Sequence, residues 1–264
     1  MKKIWFILLS LFVFPIVTFA QENIGEDDSL AFLSTTGYFK TISVYDQNDI
    51  LVDTATIKIT ENQYENEVIL PSEYGIMRSI GESCINGIFT CTYNTEYKAT
   101  TLSTNGRHIN VKTTWKQIPK IKHLDTIGFV IVSSDGPITY NPSSFTVTQK
   151  YDGNIITYDG NSGNRVRKEN GDGLVTNIVN TVSSSLEVEL DVIIYNLPLN
   201  NTVINAAYEH AVTTTLTATE AKNFTYGNYT NDSGKTVLGG TFIYPNNVIS
   251  KYDQTQGVQL VVNI

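Results

Sequence analysis

Few residues of this chain combine the type and spacing that chemistry needs. Nucleophilic hydrolysis requires a Ser, Cys or Thr beside a base, and the nearest approach is Gly81-Glu82-Ser83-Cys84-Ile85. That string lacks the final Gly of a nucleophile elbow and stands among hairpin signals, so it is set aside. His108, His123 and His210 form no H-E-x-x-H or H-x-H spacing and read as surface or packed imidazoles, not as zinc ligands. Glu187, Glu189 and Asp191 put three carboxylates on one face of a strand, where they could hold a cation or act on a sugar. The plainer reading is a solvated face opposite the apolar residues from Leu186 to Ile194. Asp159 to Asn164 and Glu169 to Asp172 are oxygen-rich like a calcium loop, but Gly163 and Asn164 occupy the fifth and sixth positions of the first string. Turn chemistry explains both. No catalytic, cofactor-binding or metal-ligating residue is assigned, and no cofactor is expected.

Cys84 and Cys91 are the two cysteines of the chain. In an oxidising compartment they are expected to bond, the alternative being two free buried thiols. An Asn86-Gly87 two-residue turn would leave Cys91 diagonal to its partner. A four-residue loop from Asn86 to Phe89 would set Cys84 opposite Cys91, so the bond would staple one hairpin.

The compartment follows from the first twenty residues. Lys2 and Lys3 precede an apolar run from Ile4 to Phe14, then Pro15 and the small-x-small string Thr18-Phe19-Ala20, the pattern of a cleaved secretory signal at 1–20. Gln21 would become the new N-terminus, with no Cys there to carry a lipid. The expected product is secreted, extracellular and without a stable membrane span.

Composition supports a folded chain: of 264 residues, 41% are hydrophobic and 17% charged, enough to bury a core. Lys and Arg number 18 against 26 Asp and Glu, a formal charge of -8. A nucleic acid is therefore excluded as a partner, since phosphate binding needs clustered cations.

The elements that must position any site are strands. After an acidic flexible leader at 21–34, Tyr38 to Tyr45 and Ile50 to Thr60 flank Asp46-Gln47-Asn48-Asp49 as a hairpin. Glu96 to Thr104 and Arg107 to Gln117 flank Asn105-Gly106, a type I′ signal, with Ile109, Val111, Thr113 and Trp115 on one face. Trp115 reads as core. Further strands are expected at Thr126 to Ser133, Ser144 to Tyr151, Ile155 to Tyr158, Leu186 to Ile194, Thr202 to Thr219, Thr236 to Tyr244 and Val258 to Asn263. Beyond the signal no helical periodicity is sustained. The fold class is all-β: an antiparallel β-sandwich, or two packed β halves at 35–159 and 174–264. Between them 160–173 reads as an exposed Gly/Asn-rich loop, with Arg165, Arg167 and Lys168 as its protease-sensitive point.

Three stretches stand together: Val111 to Phe129 with Trp115, Pro119 and Asp125-Thr126-Ile127-Gly128; Tyr208-Glu209-His210-Ala211; and Lys251-Tyr252-Asp253 followed by Gly257-Val258. They resemble a group of uncharacterised secreted, β-rich surface proteins and exoproteins of Gram-positive bacteria. The resemblance implies a secreted all-β domain and no particular activity. The function expected is non-enzymatic binding of an extracellular polymer or protein. The alternatives are a β-pore-forming toxin, for which Thr176 to Ser185 and Thr213 to Thr219 have the Ser/Thr-rich composition, and a secreted hydrolase with a carboxylate site.

Overall fold

The structure, a computed structural model, describes residues 32–67, 84, 90–105, 107–117, 119–121, 124–134, 144–151, 154–159, 166–167, 173–179, 187–194, 202–213, 221, 223–230, 236–244, 252–253, 255 and 257–262. The signal at 1–20 and most of the leader lie outside these residues. The strands are β1 (Leu33–Tyr45), β2 (Leu51–Ile59), β3 (Thr92–Thr104), β4 (His108–Trp115), β5 (Leu124–Ser133), β6 (Thr146–Tyr151), β7 (Asn154–Asp159), β8 (Val166–Arg167), β9 (Gly173–Val179), β10 (Glu187–Ile193), β11 (Thr202–Glu209), β12 (Asn223–Thr230), β13 (Thr236–Ile243) and β14 (Val258–Val262), with one short helix, α1 (Glu61–Asn66).

Seven strands make one sheet, in the order β2-β1-β3-β4-β10-β6-β7, and five make the second, β14-β11-β5-β9-β8. Every pairing is antiparallel. The sheets face each other across one apolar core. Phe39, Leu102, Val111, Val147 and Leu190 come from the first sheet, and Ile127, Phe129, Ile204, Leu174 and Leu260 from the second. The expected all-β sandwich is therefore the fold. Its strands do not divide into two halves in space: β10 lies between β4 and β6, and β5 between β11 and β9.

A third layer explains why β5 and β11 lack a solvated face along most of their length. The β12–β13 hairpin covers the far side of the second sheet, packing Phe224 and Phe242 on Val130, Val175 and Ala207. Residues of β5 and β11 are thus buried on both faces: β5 reads as a near-continuous apolar run from Ile127 to Val132, whereas β11 carries buried Asn205 and Glu209 among its apolar residues. By contrast β4 and β10 are covered on one face only and alternate strictly in burial.

One turn departs from the expected chemistry. Thr104 pairs with Ile109, not with Arg107, and the Asn105 side-chain carbonyl accepts from the Arg107 and His108 N–H groups at 3.2 and 2.8 Å. Asn105 thus makes an Asx turn where a two-residue Asn-Gly turn was expected. The α1 helix was not anticipated, although its start is legible. Thr60 and Gln63 form a capping box, each side chain bonded to the other's backbone N–H. Val166 and Arg167, inside the expected loop, pair with Thr176 and Val175 as an edge strand.

Candidate functional site

The sandwich carries its densest polar chemistry in its interior. β3 brings Glu96 and Lys98, and β4 brings Trp115, which stands opposite Lys98 in the ladder. Asp125 lies near the start of β5. Tyr208 and Glu209 end β11 and His210 follows them, and the Tyr252-Asp253 segment lies beside them through an antiparallel bridge from Ala211 to Tyr252. None of these residues is more than 8% exposed, and the ionisable ones range from 0 to 4%.

Asp253 and Asp125 organise the cluster. Lys98 Nζ donates to Asp253 Oδ2 at 2.5 Å and to the Tyr208 carbonyl at 2.8 Å. It stands 5.3 Å from the Trp115 ring centroid and 5.6 Å from that of Tyr208, a cation against two aromatic faces. The His210 N–H donates to Asp253 Oδ1 in a short contact, and the Asp253 N–H returns to the His210 carbonyl at 2.9 Å. Asp125 accepts from the Tyr208 hydroxyl at 2.5 Å and the Ala211 N–H at 3.0 Å, and pairs with His210 Nδ1 at 2.9 Å. Glu96 Oε1 accepts from Asn94 and from the Lys120 N–H, both at 2.7 Å. Its Oε2 faces His210 Nε2 at 3.9 Å, and neither atom has a hydrogen bond. Tyr244 donates to Glu209 Oε2 at 2.9 Å.

Burial and charge work against each other here. Burial lowers the His210 pKa, but Asp125, Glu96 and Asp253 outweigh it and raise the value to about 9. Burial pushes Glu209 up to about 8 despite the Tyr244 hydrogen bond, and pushes Asp253 above its usual range despite Lys98 and His210. Breaking such a buried pair by removing one partner costs about 3–5 kcal/mol, because the other charge stays behind.

Of the residues singled out in the sequence, Trp115 and His210 belong to this cluster, and the other described ones lie elsewhere. Glu187, Glu189 and Asp191 form the polar face expected of them, opposite buried Val188, Leu190 and Val192. Cations and amides of β4 and β6 answer them: Lys112 and Lys150 reach Glu187 at 2.9 and 2.7 Å, Asn110 reaches Glu189 at 2.7 Å, and His108 meets Asp191 at 3.2 Å. Trp115 is core, as expected. Thr176, at the start of the Ser/Thr-rich stretch, is fully buried within β9. Cys84 and Cys91 are disulfide-bonded with Cα atoms 5.8 Å apart. Cys84 is helical, however, so the bond ties a helical residue to the residue just before β3 and not one hairpin arm to the other. Arg165, Lys168, His123 and the rest of the Gly81 to Ile85 string lie outside the described residues.

Sequence reasoning missed the buried cluster as a unit. Its signal was present in part, since the three stretches that carried the resemblance contain Trp115, Asp125, Tyr208, Glu209, His210 and Asp253. Lys98 and Glu96 gave none, because alternating charged residues on a strand read as an exposed face.

No family model matches the sequence, and no curated protein matches it. Among solved structures, the chain is similar to a collagen-binding domain from a Staphylococcus aureus adhesin, with 13% identity over 53% of this chain and 89% of that one and a TM-score of 0.28. It is similar to the S. aureus collagen adhesin at 10% identity, over 87% of this chain and 84% of that one, with a TM-score of 0.28. A third similar structure, at 9% identity, 88% coverage of both chains and a TM-score of 0.27, is described as manganese lipoxygenase of Gaeumannomyces graminis with part of zonadhesin of Komagataella pastoris. At these TM-scores the likenesses assign the chain neither a family nor a ligand.

Proposed function

We propose that this chain is a secreted, non-enzymatic β-sandwich that binds an extracellular polymer or protein through its outer surface. The observation that carries the reading is an apolar row on the outer face of the second sheet. Val203 of β11 pairs with Val132 of β5 on one side and with Val261 of β14 on the other. Val132 and Val261 are 38% and 49% exposed, at the end of the sheet where the β12–β13 hairpin does not cover it. Contiguous apolar rows left open to solvent in this way mark interaction surfaces. The ionisable cluster inside the sandwich, at 4% exposure or less, offers a diffusible substrate no entry. An array of glycans and extracellular matrix proteins, probed with the native chain and with a Val132→Lys, Val261→Lys double variant of equal melting temperature, tests the reading. Binding that the double variant loses supports it. Ligands bound equally by both, or dye release from liposomes, would overturn it.

A further inference from the structure

Lys98 and Asp253 are separated by 155 positions, yet Nζ and Oδ2 lie 2.5 Å apart with 1% and 0% of the side chains exposed. An ammonium and a carboxylate sealed from water lose hydration that each can restore to the other only in part. Their condensation product, a neutral amide, carries no such charge burden. From this geometry we infer that Lys98 and Asp253 condense into an intramolecular isopeptide bond between Nζ and Cγ. The inference does not depend on what the outer surface binds.

The surroundings supply what the step needs. Folding has already brought amine and carboxyl into contact, which removes the entropic barrier of a bimolecular reaction. The Tyr208 carbonyl and the Trp115 and Tyr208 rings hold Nζ against the carboxyl group. The His210 N–H donates to Oδ1, the oxygen that gathers negative charge in a tetrahedral intermediate. Glu209 is close enough to interact electrostatically with both Lys98 and Asp253, and burial pushes its carboxyl and that of Asp253 upward. Protonated carboxyl groups are the forms that let an oxygen depart.

The atoms balance without a co-reactant. A proton passes from the Lys98 ammonium to the Asp253 carboxylate, leaving an amine and an acid. The Nζ lone pair forms the Nζ–Cγ bond while the carbonyl electrons move to Oδ1. They return as the Cγ–Oδ2 bond breaks, and Oδ2 leaves as water with the proton it held and one from Nζ, relayed by the Glu209 carboxyl. Nothing is oxidised or reduced.

Intact-mass measurement of the native, disulfide-bonded chain tests the proposal, together with peptide mapping after trypsin. The expected mass is one water below that of the disulfide-bonded sequence, with a branched peptide joining the Lys98 and Asp253 segments and no cleavage after Lys98. The full sequence mass with cleavage after Lys98 would overturn it, and this measurement needs no variant to fold. Lys98→Met is expected to restore the missing water. Glu209→Gln is expected to accumulate the uncondensed chain with its disulfide intact, and complete condensation in that variant would remove Glu209 from the step.

Discussion

The His210 imidazole is held by the Asp125 carboxylate through Nδ1 at 2.9 Å, with neither side chain exposed to solvent. The pair ties the end of β11 to the start of β5 beneath Trp115, whose ring centroid is 5.0 Å from that of His210. Because the imidazole binds its proton more tightly in the folded chain, the cluster has a pH signature.

Stability is expected to fall on the alkaline side. A histidine whose pKa rises from 6.5 to about 9 contributes stability that is fully present below 6.5 and lost as pH rises through 9. Glu209, raised from 4.5 to about 8, acts in the same sense, its contribution lost between those values. Urea midpoints should therefore decline from pH 5 to pH 9, and His210→Gln should flatten the upper part of the decline. A midpoint that climbs over that window would contradict the assignment.

Gly128 has no room for a methyl group. A Cβ there would lie 2.6 Å from the Leu174 carbonyl and 2.9 Å from Phe242, between the second sheet and its covering hairpin. Gly128→Ala should cost about 1–3 kcal/mol through overpacking. Gly227, where a Cβ meets nothing within 4 Å, is the matched control. Chemical denaturation of the two variants checks the difference.

Loss of the disulfide should be tolerated. Cys84 and Cys91 are separated by seven positions, and closing so short a loop removes about 2–3 kcal/mol of unfolded-state entropy in the chain model. A Cys84→Ser, Cys91→Ser double variant is expected to keep its β circular dichroism spectrum and to melt a few degrees lower. Failure to fold would show that the bond holds more than its own loop.

Trypsin is expected to cut first at Arg165, Arg167 or Lys168, with the two fragments remaining together. Strand β10 from one side of the cut is hydrogen-bonded between β4 and β6 from the other, and β5 between β11 and β9. Gel filtration of the nicked protein should give one peak in native buffer, and denaturant should part the fragments only in the Lys98→Met variant, which cannot form the Lys98–Asp253 amide. Two peaks in native buffer would refute this.

The parts of the fold legible in the sequence are those whose strands see solvent on one face. In β4 and β10 the period-two pattern marks both the element and its buried side. Strand order was not legible, because nothing local to Val188 or Leu190 says that β10 inserts between β4 and β6. β12 was missed because Phe224 and its polar neighbours do not alternate clearly, its burial arising from its ladder partner Phe242 and from Val175 across the layers. The site was hidden for a related reason. Glu96 and Lys98 have the spacing of an exposed edge, and only the packing of the second sheet and the Asp253 segment over β3 makes them interior.

The placement of Lys98 and Asp253 also decides how the chain would carry tension. Lys98 lies on the third strand, and Asp253 lies just before the fourteenth. With an amide between them, a pull applied at the two termini passes along β1 to β3, crosses to Asp253 and leaves through β14. The strands from β4 to β13 then sit on a slack loop that bears no load. Their hydrogen bonds are bypassed, and the length they would otherwise release on extension, about 3.3–3.6 Å for each residue, stays stored in the sandwich.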